Sequence, residues 1–516
     1  MVSARLKVFG LGVAAGALAL GLSFVLRMYA GGSFLPEIAS QAFFSSVPGQ
    51  LESGAVEALG SLAKYTTYAV AIAVSLLIYG LLALLSARLG AVYGDRPPVR
   101  ALVAFALSYA VLLALSGLFL SVARVNSQPV SAPVLAFELV FPQLLFGLSL
   151  GFLEARYLPA SREITPEDFR PVDRRRRLII ASGAALVVAA ALAYLGLSSL
   201  QKGDMASSDI SAFFGSEVTS NDRFYRVDIN IFPPSVQSSG WTLKVGGLVD
   251  NPLTLTYDDL TALPAVEQYN TLECVSNNIG GDLMSTAKWK GVKLKDVLSR
   301  AGVQGSATYV VFKCSDQYDV GVPLSKGLED GAILAYQMNG SPLPQSHGYP
   351  LRAIVPGYYG MMNPKWIVEI SLTDQTYQGF WQRSGWANEA RYQTGSTIVS
   401  LGRDPLADKF GLESPSQVTV GSAVTIAGVA FAGDRGISKV EVSTDKANTW
   451  TPANLVSPLS TNSWVLWSLD WTPTAKGTYD VIVRATDGEG NLQTESVADP
   501  FPAGATGWHY VTVNVS

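Results

Sequence analysis

Residues with metal-binding and anion-binding side chains follow one another between positions 271 and 366. Cys274 lies in Thr271-Leu-Glu-Cys-Val-Ser-Asn277, His347 begins His347-Gly-Tyr-Pro-Leu-Arg352, and Lys365 precedes Trp366. A cysteine thiolate is a soft metal ligand, and a guanidinium can form two parallel hydrogen bonds to a phosphate, beside which an ammonium adds a point charge. Taken singly these are ordinary loop and strand residues, so the signal lies in their order along the chain.

In this order they resemble the molybdopterin-binding domain of the sulfite oxidase family, over roughly residues 221–395. The resemblance implies a molybdenum–molybdopterin cofactor and makes Cys274 the molybdenum ligand and a catalytic residue. It also implies a set of cofactor contacts, with Cys274 among them: Tyr225, Arg226, Cys274, Asn277, Asp316, His347, Arg352, Asn363 and Lys365. Four glycines, Gly280, Gly281, Gly357 and Gly360, are predicted either to let the main chain approach the cofactor or simply to form turns.

The substrate is less well indicated than the cofactor. Sulfite oxidases carry an arginine two residues after the second aromatic of Phe-Phe-Val-Arg-Asn-His, whereas Arg226 falls one position early. They also carry a tyrosine five residues after the tryptophan of a Trp-Gln-Arg segment, where this chain has Trp386. Arg226 and Trp386 are the predicted catalytic residues besides Cys274. Because an indole offers one donor and a large apolar face, a bulkier or neutral oxygen-atom donor or acceptor remains open.

The elements that must hold these residues predict an α+β domain over 223–400. Residues 224–230 and 241–248 alternate like strands, a capped short helix is expected at 256–260, and a strand-to-helix step at 289–298. Cys314 lies in the predicted strand 309–314 and reads as a buried small residue, a disulfide with Cys274 being the alternative.

Regularly spaced short strands then predict an all-β immunoglobulin-like sandwich over 408–516. The predicted strands are 417–420, 423–430, 437–443, 464–471, 477–485 and 508–515. This part resembles the dimerisation domain of the same family, which implies a possible homodimer. His509 alternates within a strand and is expected to be structural.

The N-terminal 200 residues predict an α-helical membrane domain. Five apolar stretches are long enough to span a bilayer, near 7–28, 65–87, 101–123, 134–155 and 178–200, with an interfacial helix pair over 34–64 and a polar linker over 201–222. Basic residues concentrate in alternate loops, which predicts a multi-pass cell-membrane protein with its N-terminus in the cytoplasm and its catalytic domain outside. The run Arg174–Arg177 is either a twin-arginine export signal or a plain cytoplasmic anchor.

Charge and histidine content restrict the partners. Residues 1–200 carry 15 basic against 10 acidic residues, and residues 201–516 carry 22 against 31, which argues against nucleic-acid binding. His347 and His509 are the only histidines, so no predicted span offers a histidine ligand and no haem is expected. Electrons must then pass to a separate c-type cytochrome or cupredoxin, or to quinone.

Three functions fit these patterns. The first is a sulfite-oxidase-like oxygen-atom transferase acting on a small oxyanion. The second is a sulfoxide reductase of the methionine-sulfoxide type with the same fold. The third is a membrane-anchored binding protein with a degenerate cofactor domain, against which the presence of Cys274, His347 and Arg352 argues.

Overall fold

The computed structural model describes residues 2–30, 34–46, 62–93, 97–122, 132–157, 210–230, 233–401, 405–410, 412 and 418–516. These residues fall into two compact units, one ending at residue 157 and the other beginning at residue 210. Several predictions lie outside the described residues: the fifth span at 178–200, the run Arg174–Arg177, the first part of the linker, and the helix pair beyond residue 46.

The first unit is helical throughout its described residues. Its helices are α1 (Val2–Ala30), α2 (Leu35–Ser46), α3 (Leu62–Tyr93), α4 (Pro97–Val122) and α5 (Ala132–Tyr157). Four of them coincide with the first four predicted spans. By length and composition, two segments of the described residues can cross a membrane, Leu6–Arg27 and Thr66–Leu89, whereas Ala101–Val111 is shorter. The number of five spans therefore stays a prediction.

Small residues let these helices pack closely. A Cβ atom on Gly12 would lie 2.4 Å from the Cβ of Ala83, so α1 and α3 touch there without room for a side chain. A buried hydrogen bond also joins α3 and α5. The Tyr79 hydroxyl donates to Oε1 of Gln143 at 3.2 Å.

The catalytic part of the second unit is built from short helices and two sheets. The helices are α6 (Tyr257–Thr261), α7 (Leu294–Ala301), α8 (Leu324–Gly327), α9 (Phe380–Arg383) and α10 (Pro405–Phe410). The strands are β1 (Thr242–Gly247), β2 (Leu253–Thr256), β3 (Ala265–Glu273), β4 (Met284–Lys293), β5 (Tyr309–Cys314), β6 (Asp319–Pro323), β7 (Ile333–Met338), β8 (Ser341–Pro342), β9 (Arg352–Ile354) and β10 (Ile367–Thr373).

One sheet has the order β2-β1-β10-β5-β6, and the other has the order β3-β4-β7-β8 with β9 paired to β7. In the first sheet β1 runs parallel to β10 and the other neighbours are antiparallel. Cys274 directly follows β3, Arg352 begins β9, and Lys365 lies just before β10. The loops at these strand ends therefore carry the predicted cofactor contacts.

Local sequence explains several of these elements. Thr256 caps α6 with a capping box, in which its hydroxyl accepts from the Asp259 amide and Asp259 accepts from the Thr256 amide. The step from β4 to α7 confirms the prediction for 289–298. The predicted strand at 224–230 is wrong, because this segment runs as turns and irregular backbone. Five of its seven residues instead line a cavity, and the Asp228 carboxylate accepts from the Asn230 amide at 2.9 Å.

The remaining strands form a two-sheet sandwich. They are β11 (Gly395–Ile398), β12 (Val424–Phe431), β13 (Ile437–Ser443), β14 (Thr451–Pro452), β15 (Asn454–Leu455), β16 (Val465–Trp471), β17 (Gly477–Asp487) and β18 (His509–Val515). The sheets have the orders β11-β12-β16-β15 and β14-β13-β17-β18, and they enclose Ile398, Val440, Trp467 and Val483. Five predicted strands are confirmed. Of the predicted strand 417–420 the structure describes residues 418–420, where Val418 makes an isolated bridge to Val515.

The sandwich and the catalytic part share packing. β11 precedes the predicted boundary at residue 400, yet it pairs with β12 of the sandwich. The Trp464 indole donates to the Glu217 carbonyl at 3.0 Å, and its backbone amide donates to the Thr271 hydroxyl at 2.8 Å. Phe431 packs edge-on against Tyr392 with ring centroids 4.8 Å apart. His509 is buried and its Nδ1 accepts from the Ile398 amide at 3.2 Å, a structural contact as predicted.

Candidate active site

An open cavity lies among the loops that follow the strands of the catalytic part. Eight of the ten predicted site residues line it: Tyr225, Cys274, Asp316, His347, Arg352, Asn363, Lys365 and Trp386. Arg226 and Asn277 do not line it. The sequence therefore predicted most of this wall, although the residues are up to 161 positions apart in the chain.

Cys274 is held at the start of a tight loop. Its amide donates to the Leu283 carbonyl at 2.9 Å, and its carbonyl accepts from the Asn277 amide at 3.0 Å. Its Sγ lies 3.0 Å from the Ser276 hydroxyl. Both cysteines are buried and neither forms a disulfide, so that alternative is wrong. Burial raises the pKa of the Cys314 thiol well above its usual range, in keeping with the small buried residue that was predicted.

The Asn277 side chain holds this loop through hydrogen bonds to Glu273 and Leu283. Its Nδ2 donates to Oε1 of Glu273 at 2.9 Å, and its Oδ1 accepts from the Leu283 amide at 3.0 Å. A Cβ atom on Gly281 would lie 2.4 Å from that same Oδ1. Gly281 is therefore required by the Asn277 side chain, and the geometry ties Asn277 to the position of Cys274 rather than to the cavity wall.

Arg352 is a buried cation without an anionic partner among the described residues. Its guanidinium donates to the carbonyls of His347 and Asn363, both at 3.2 Å, and lies 4.8 Å from the centre of the Trp289 ring. Its Nε is buried and has no acceptor. Burial lowers the pKa of Arg352 to about 10. A charged group in this state indicates an anion that the protein chain does not itself supply.

His347 is neutral at physiological pH. Its Nε2 lies 2.8 Å from the Asn221 carbonyl, and since a carbonyl only accepts, Nε2 carries the proton and Nδ1 is the acceptor of the ring. Burial, followed by the charge of Lys365, lowers the pKa of His347 to about 3. Phe224 packs edge-on against the ring with centroids 5.4 Å apart and fixes its plane.

Asp228 forms ion pairs with two cations, Arg226 and Lys365. Its carboxylate accepts from Arg226 Nε at 2.7 Å and from Lys365 Nζ at 3.0 Å, and it is almost fully buried. Lys365 also donates to the carbonyl of Ser346 at 3.4 Å. Burial lowers the pKa of the Lys365 ammonium, which the charge of Asp228 partly restores. Arg226 is thus held by Asp228 and does not line the cavity, and its predicted catalytic role stays a prediction.

Asp316 is a second buried carboxyl in the wall. It accepts from Asn230 Nδ2 at 2.7 Å and from the Tyr318 amide at 3.1 Å. Burial raises the pKa of Asp316 to about 6, against the lowering effect of the Asn230 hydrogen bond. Asn363, also buried, uses its amide on the backbone: it accepts from the Val355 amide at 2.7 Å and donates to the Tyr358 carbonyl at 3.1 Å.

Tryptophans form another part of the wall. Trp386 is 5% exposed, and its indole N–H is buried with no acceptor among the described residues. Its backbone amide donates to the Trp381 carbonyl at 3.3 Å, and its ring packs edge-on against Phe501 at 5.3 Å. Trp381 in turn packs on Phe380, which contacts Tyr318.

Sequence reasoning missed several residues of the wall, chief among them Asp228, Tyr318 and Trp381. Two available signals could have found two of them. Asp228 is an acidic residue two positions after Arg226, and Tyr318 is two positions after Asp316. Of the predicted glycines, Gly360 lines the cavity, and a Cβ atom on it would lie 2.4 Å from the Tyr225 hydroxyl oxygen. A Cβ atom on Gly357 would meet the Asp434 carboxylate.

Family profiles match both parts of this unit. The profile described as an oxidoreductase molybdopterin binding domain matches residues 230–381, and that of a Mo-co oxidoreductase dimerisation domain matches residues 413–516. The chain belongs to the molybdopterin-binding oxidoreductases, and it is an oxidoreductase enzyme with a molybdenum–molybdopterin site. The alternative of a non-catalytic binding protein is therefore not favoured, nor is that of a sulfoxide reductase.

Among the relatives are sulfite oxidases. The mitochondrial sulfite oxidase of Mus musculus is 30% identical over 309 residues, which are 52% of this chain and 57% of the relative. The sulfite oxidase of Arabidopsis thaliana is 28% identical over 355 residues, which are 59% of this chain and 90% of the relative. The chain thus spans little more than half the length of the mitochondrial enzyme. An uncharacterized oxidoreductase, YuiH, of Bacillus subtilis (strain 168) is 36% identical over 146 residues, which are 28% of this chain and 72% of that protein. The sulfane dehydrogenase SoxCD from Paracoccus pantotrophus aligns with a TM-score of 0.49 and 21% identity, over 58% of this chain and 83% of that one.

Proposed function

We propose that this chain is a membrane-anchored, extracytoplasmic molybdenum oxidoreductase that adds an oxygen atom to sulfur in a sulfite-oxidase-like reaction. The observation that carries the proposal is the buried, anion-free guanidinium of Arg352 in the same cavity as the Cys274 thiol. A buried cation with an orphaned N–H and a soft sulfur donor together suit a cofactor that joins an anionic phosphate to a metal.

The donor set fits that cofactor. Arg352 would hold the pterin phosphate with Lys365 as a second positive charge, and Cys274 would ligate the metal. His347 would offer its Nδ1 as an acceptor to an N–H of the pterin, because its Nε2 is committed to the Asn221 carbonyl. When bound, molybdenum supplies two-electron chemistry coupled to oxygen-atom transfer.

The chain's own residues do the rest. Asp228 keeps Lys365 charged inside the wall and prevents Arg226 from entering it. The loop held by Asn277 and Gly281 fixes the Cys274 backbone, so the thiol needs little rearrangement on binding the metal. The Tyr318 hydroxyl donates a hydrogen bond to the Met361 carbonyl at 2.6 Å. The Tyr318 ring then shields the cavity from water.

Molybdenum analysis combined with a dye-coupled assay tests this proposal. Purified protein should contain close to one molybdenum per chain and should reduce a one-electron dye when an oxidisable sulfur compound is added. Metal-free preparations from cells that lack the cofactor should bind no molybdenum and show no turnover. A fully folded protein that contains molybdopterin but oxidises no sulfur compound would contradict the proposal.

Placement outside the cytoplasm rests on the basic loops and the two apolar segments Leu6–Arg27 and Thr66–Leu89. A reporter that is active only outside the cytoplasm should be active when fused after residue 205 and inactive when fused near residue 165. The reverse pattern would overturn the topology.

A separate redox protein is the proposed electron acceptor, in preference to quinone. Residues 201–516 carry 31 acidic against 22 basic residues, so a basic c-type cytochrome would be attracted and its reduction would slow as salt screens the charges. Stopped-flow reduction of added cytochrome at increasing ionic strength measures this. Turnover coupled only to quinone and indifferent to salt, or a haem spectrum of the purified chain itself, would contradict it.

A further inference from the structure

The cavity has two chemically different parts. We call Asp228, His347, Arg352 and Lys365 the cationic wall, because they are joined by the Lys365–Asp228 ion pair and by hydrogen bonds to the Ser346 and His347 carbonyls. We call Tyr318, Trp381 and Trp386 the tryptophan wall, because they are joined through Phe380 and the Trp386–Trp381 backbone hydrogen bond. All seven residues line the cavity.

The tryptophan wall holds a neutral donor that is buried and unused. Trp386 is 5% exposed, and its indole N–H has no acceptor among the described residues. A buried donor without an acceptor is costly, so its retention in a cavity wall points to an acceptor on a ligand. This donor is distinct from the orphaned N–H of Arg352, which belongs to the cationic wall.

Two arginines that could have served this wall, Arg383 and the predicted catalytic residue Arg226, are already paired with carboxylates. Arg383, between Trp381 and Trp386 in the chain, donates to both carboxylate oxygens of Asp319 at 2.8 and 2.7 Å. Arg226 is paired with Asp228. Neither arginine lines the cavity. Within the described part of the chain, the tryptophan wall therefore offers an N–H donor and apolar ring faces but no cation.

Charge matching decides which substrate this wall accepts. A dianion such as sulfite would lose its hydration against indole faces with no guanidinium to compensate it, and the phosphate held at the cationic wall would repel it further. A singly charged sulfur oxyanion with an apolar substituent loses less hydration, and its substituent gains contact with the aromatic rings.

We propose that Trp386 is a specificity-determining residue whose indole N–H donates a hydrogen bond to a substrate oxygen, and that the substrate is an organic sulfinate. The inference rests on the proposed function. In the net reaction the sulfinate sulfur gains an oxygen from water and becomes a sulfonate. One S–O bond forms, two protons are released, and two electrons pass to two equivalents of a one-electron acceptor such as ferricytochrome or ferricyanide.

Substrate preference is the first test. The molybdenum-loaded full-length protein in detergent is assayed with ferricyanide at mildly alkaline pH, where sulfite is a dianion. We expect kcat/KM for methanesulfinate to exceed that for sulfite by about tenfold or more, which corresponds to one missing charge-compensating contact. Equal values, or a preference for sulfite, would overturn the inference.

Trp386→Phe keeps an apolar ring but removes the donor. Its matched control is Trp450→Phe, which removes an indole N–H in the sandwich, outside the cavity. Molybdenum content and circular dichroism should be unchanged in both. We expect Trp386→Phe alone to lower kcat/KM for methanesulfinate about tenfold, the effect of one buried hydrogen bond.

Product binding gives a readout that does not depend on turnover. Calorimetry should show methanesulfonate binding to the loaded protein about tenfold more tightly than sulfate, and this difference should shrink in Trp386→Phe. If Trp386→Phe behaves like Trp450→Phe, the inference fails while the proposed function stands. If the loaded wild-type protein oxidises neither sulfinate nor sulfite, the proposed function fails with it.

Discussion

The two walls of the cavity solve the same problem of burial in opposite ways. In the cationic wall, charged groups are taken out of water and are held by ion pairs and backbone carbonyls, as with Lys365 and Asp228. In the tryptophan wall, apolar rings are stacked edge-on and carry little polarity. Each wall nevertheless leaves one buried N–H without an acceptor, on Arg352 and on Trp386.

The chemical difference between these two unpaired N–H groups indicates which kind of ligand each wall can bind. An uncompensated guanidinium needs a negative charge, whereas an unused indole N–H needs only a lone pair. The cationic wall is therefore suited to hold a phosphate-bearing cofactor permanently. The tryptophan wall is suited to a less charged ligand that enters and leaves, and Cys274 lies in the cavity that both walls enclose.

The largest expected effect comes from Cys274→Ser, which removes the thiol from that cavity. A hydroxyl is a poor substitute for a thiolate as a metal ligand, so we expect activity to fall to the assay background. The fold should persist, because the loop is held by backbone and Asn277 hydrogen bonds. Turnover and circular dichroism measure the two effects, with Cys314→Ser as the control. Wild-type turnover in the variant would sink the assignment of Cys274.

Arg352→Met alters the cationic wall and leaves the residues of the tryptophan wall unchanged. Loss of a buried cation opposite a phosphate costs about 2 kcal/mol or more, so cofactor content should fall at least about tenfold. The variant no longer buries an unpaired charge, which removes a destabilising contribution to the cofactor-free fold. Its melting temperature should therefore lie within about 4 °C of that of wild type.

Arg383→Gln, at an arginine paired outside the cavity, is the control and should keep its cofactor. Full cofactor content in Arg352→Met would show that this guanidinium does not hold the phosphate.

Asp316→Asn tests the electrostatics of the wall through pH. Burial raises the pKa of Asp316 to about 6 from 3.8, so its protonated form stabilises the folded state below about pH 3.8, and this contribution is lost as the pH rises through about 6. The asparagine variant lacks this loss. We expect its unfolding free energy, relative to cofactor-free wild type, to rise by about 1 kcal/mol per pH unit between pH 4 and 6 and then to level off.

Denaturant unfolding of both proteins across this range measures the difference. A difference independent of pH would mean that Asp316 titrates normally. His347, whose pKa is lowered to about 3, stays neutral over most of this interval.

Phe501→Leu should give the smallest effect and should act on the tryptophan wall alone. Phe501 supports the Trp386 ring from the sandwich, and such aromatic pairs contribute about 1 kcal/mol beyond their buried area. We expect KM for the sulfur substrate to rise about threefold with unchanged molybdenum content. A drop in molybdenum content would mean that the two walls are not independent.

Sequence reasoning found three of the four residues of the cationic wall, all but Asp228, and also Cys274, because these residues belong to short motifs with particular chemistry. Cys274, His347, Arg352 and Lys365 were each identified from a local segment, and the structure brings all four to one cavity. Two of them lie at strand ends that the sequence analysis did not predict: Cys274 follows β3 and Arg352 begins β9.

What the sequence could not provide was pairing across distance. Arg226 pairs with Asp228, and Asp228 also pairs with Lys365, which lies 137 positions beyond it in the chain. Likewise, the pattern at 224–230 predicted a strand, whereas this segment runs as irregular backbone and five of its seven residues line the cavity.

The shared packing between the sandwich and the catalytic part has a consequence for cooperativity. Strand β11 directly follows the catalytic loops in the chain but pairs with β12 of the sandwich. Trp464, just before β16, donates hydrogen bonds to Glu217 and Thr271. Two parts joined in this way cannot melt separately without exposing each other's apolar surface. A chain cut near residue 400 would leave Phe431 and Trp464 without their partners. Calorimetry of the intact second unit should therefore show one unfolding transition rather than two.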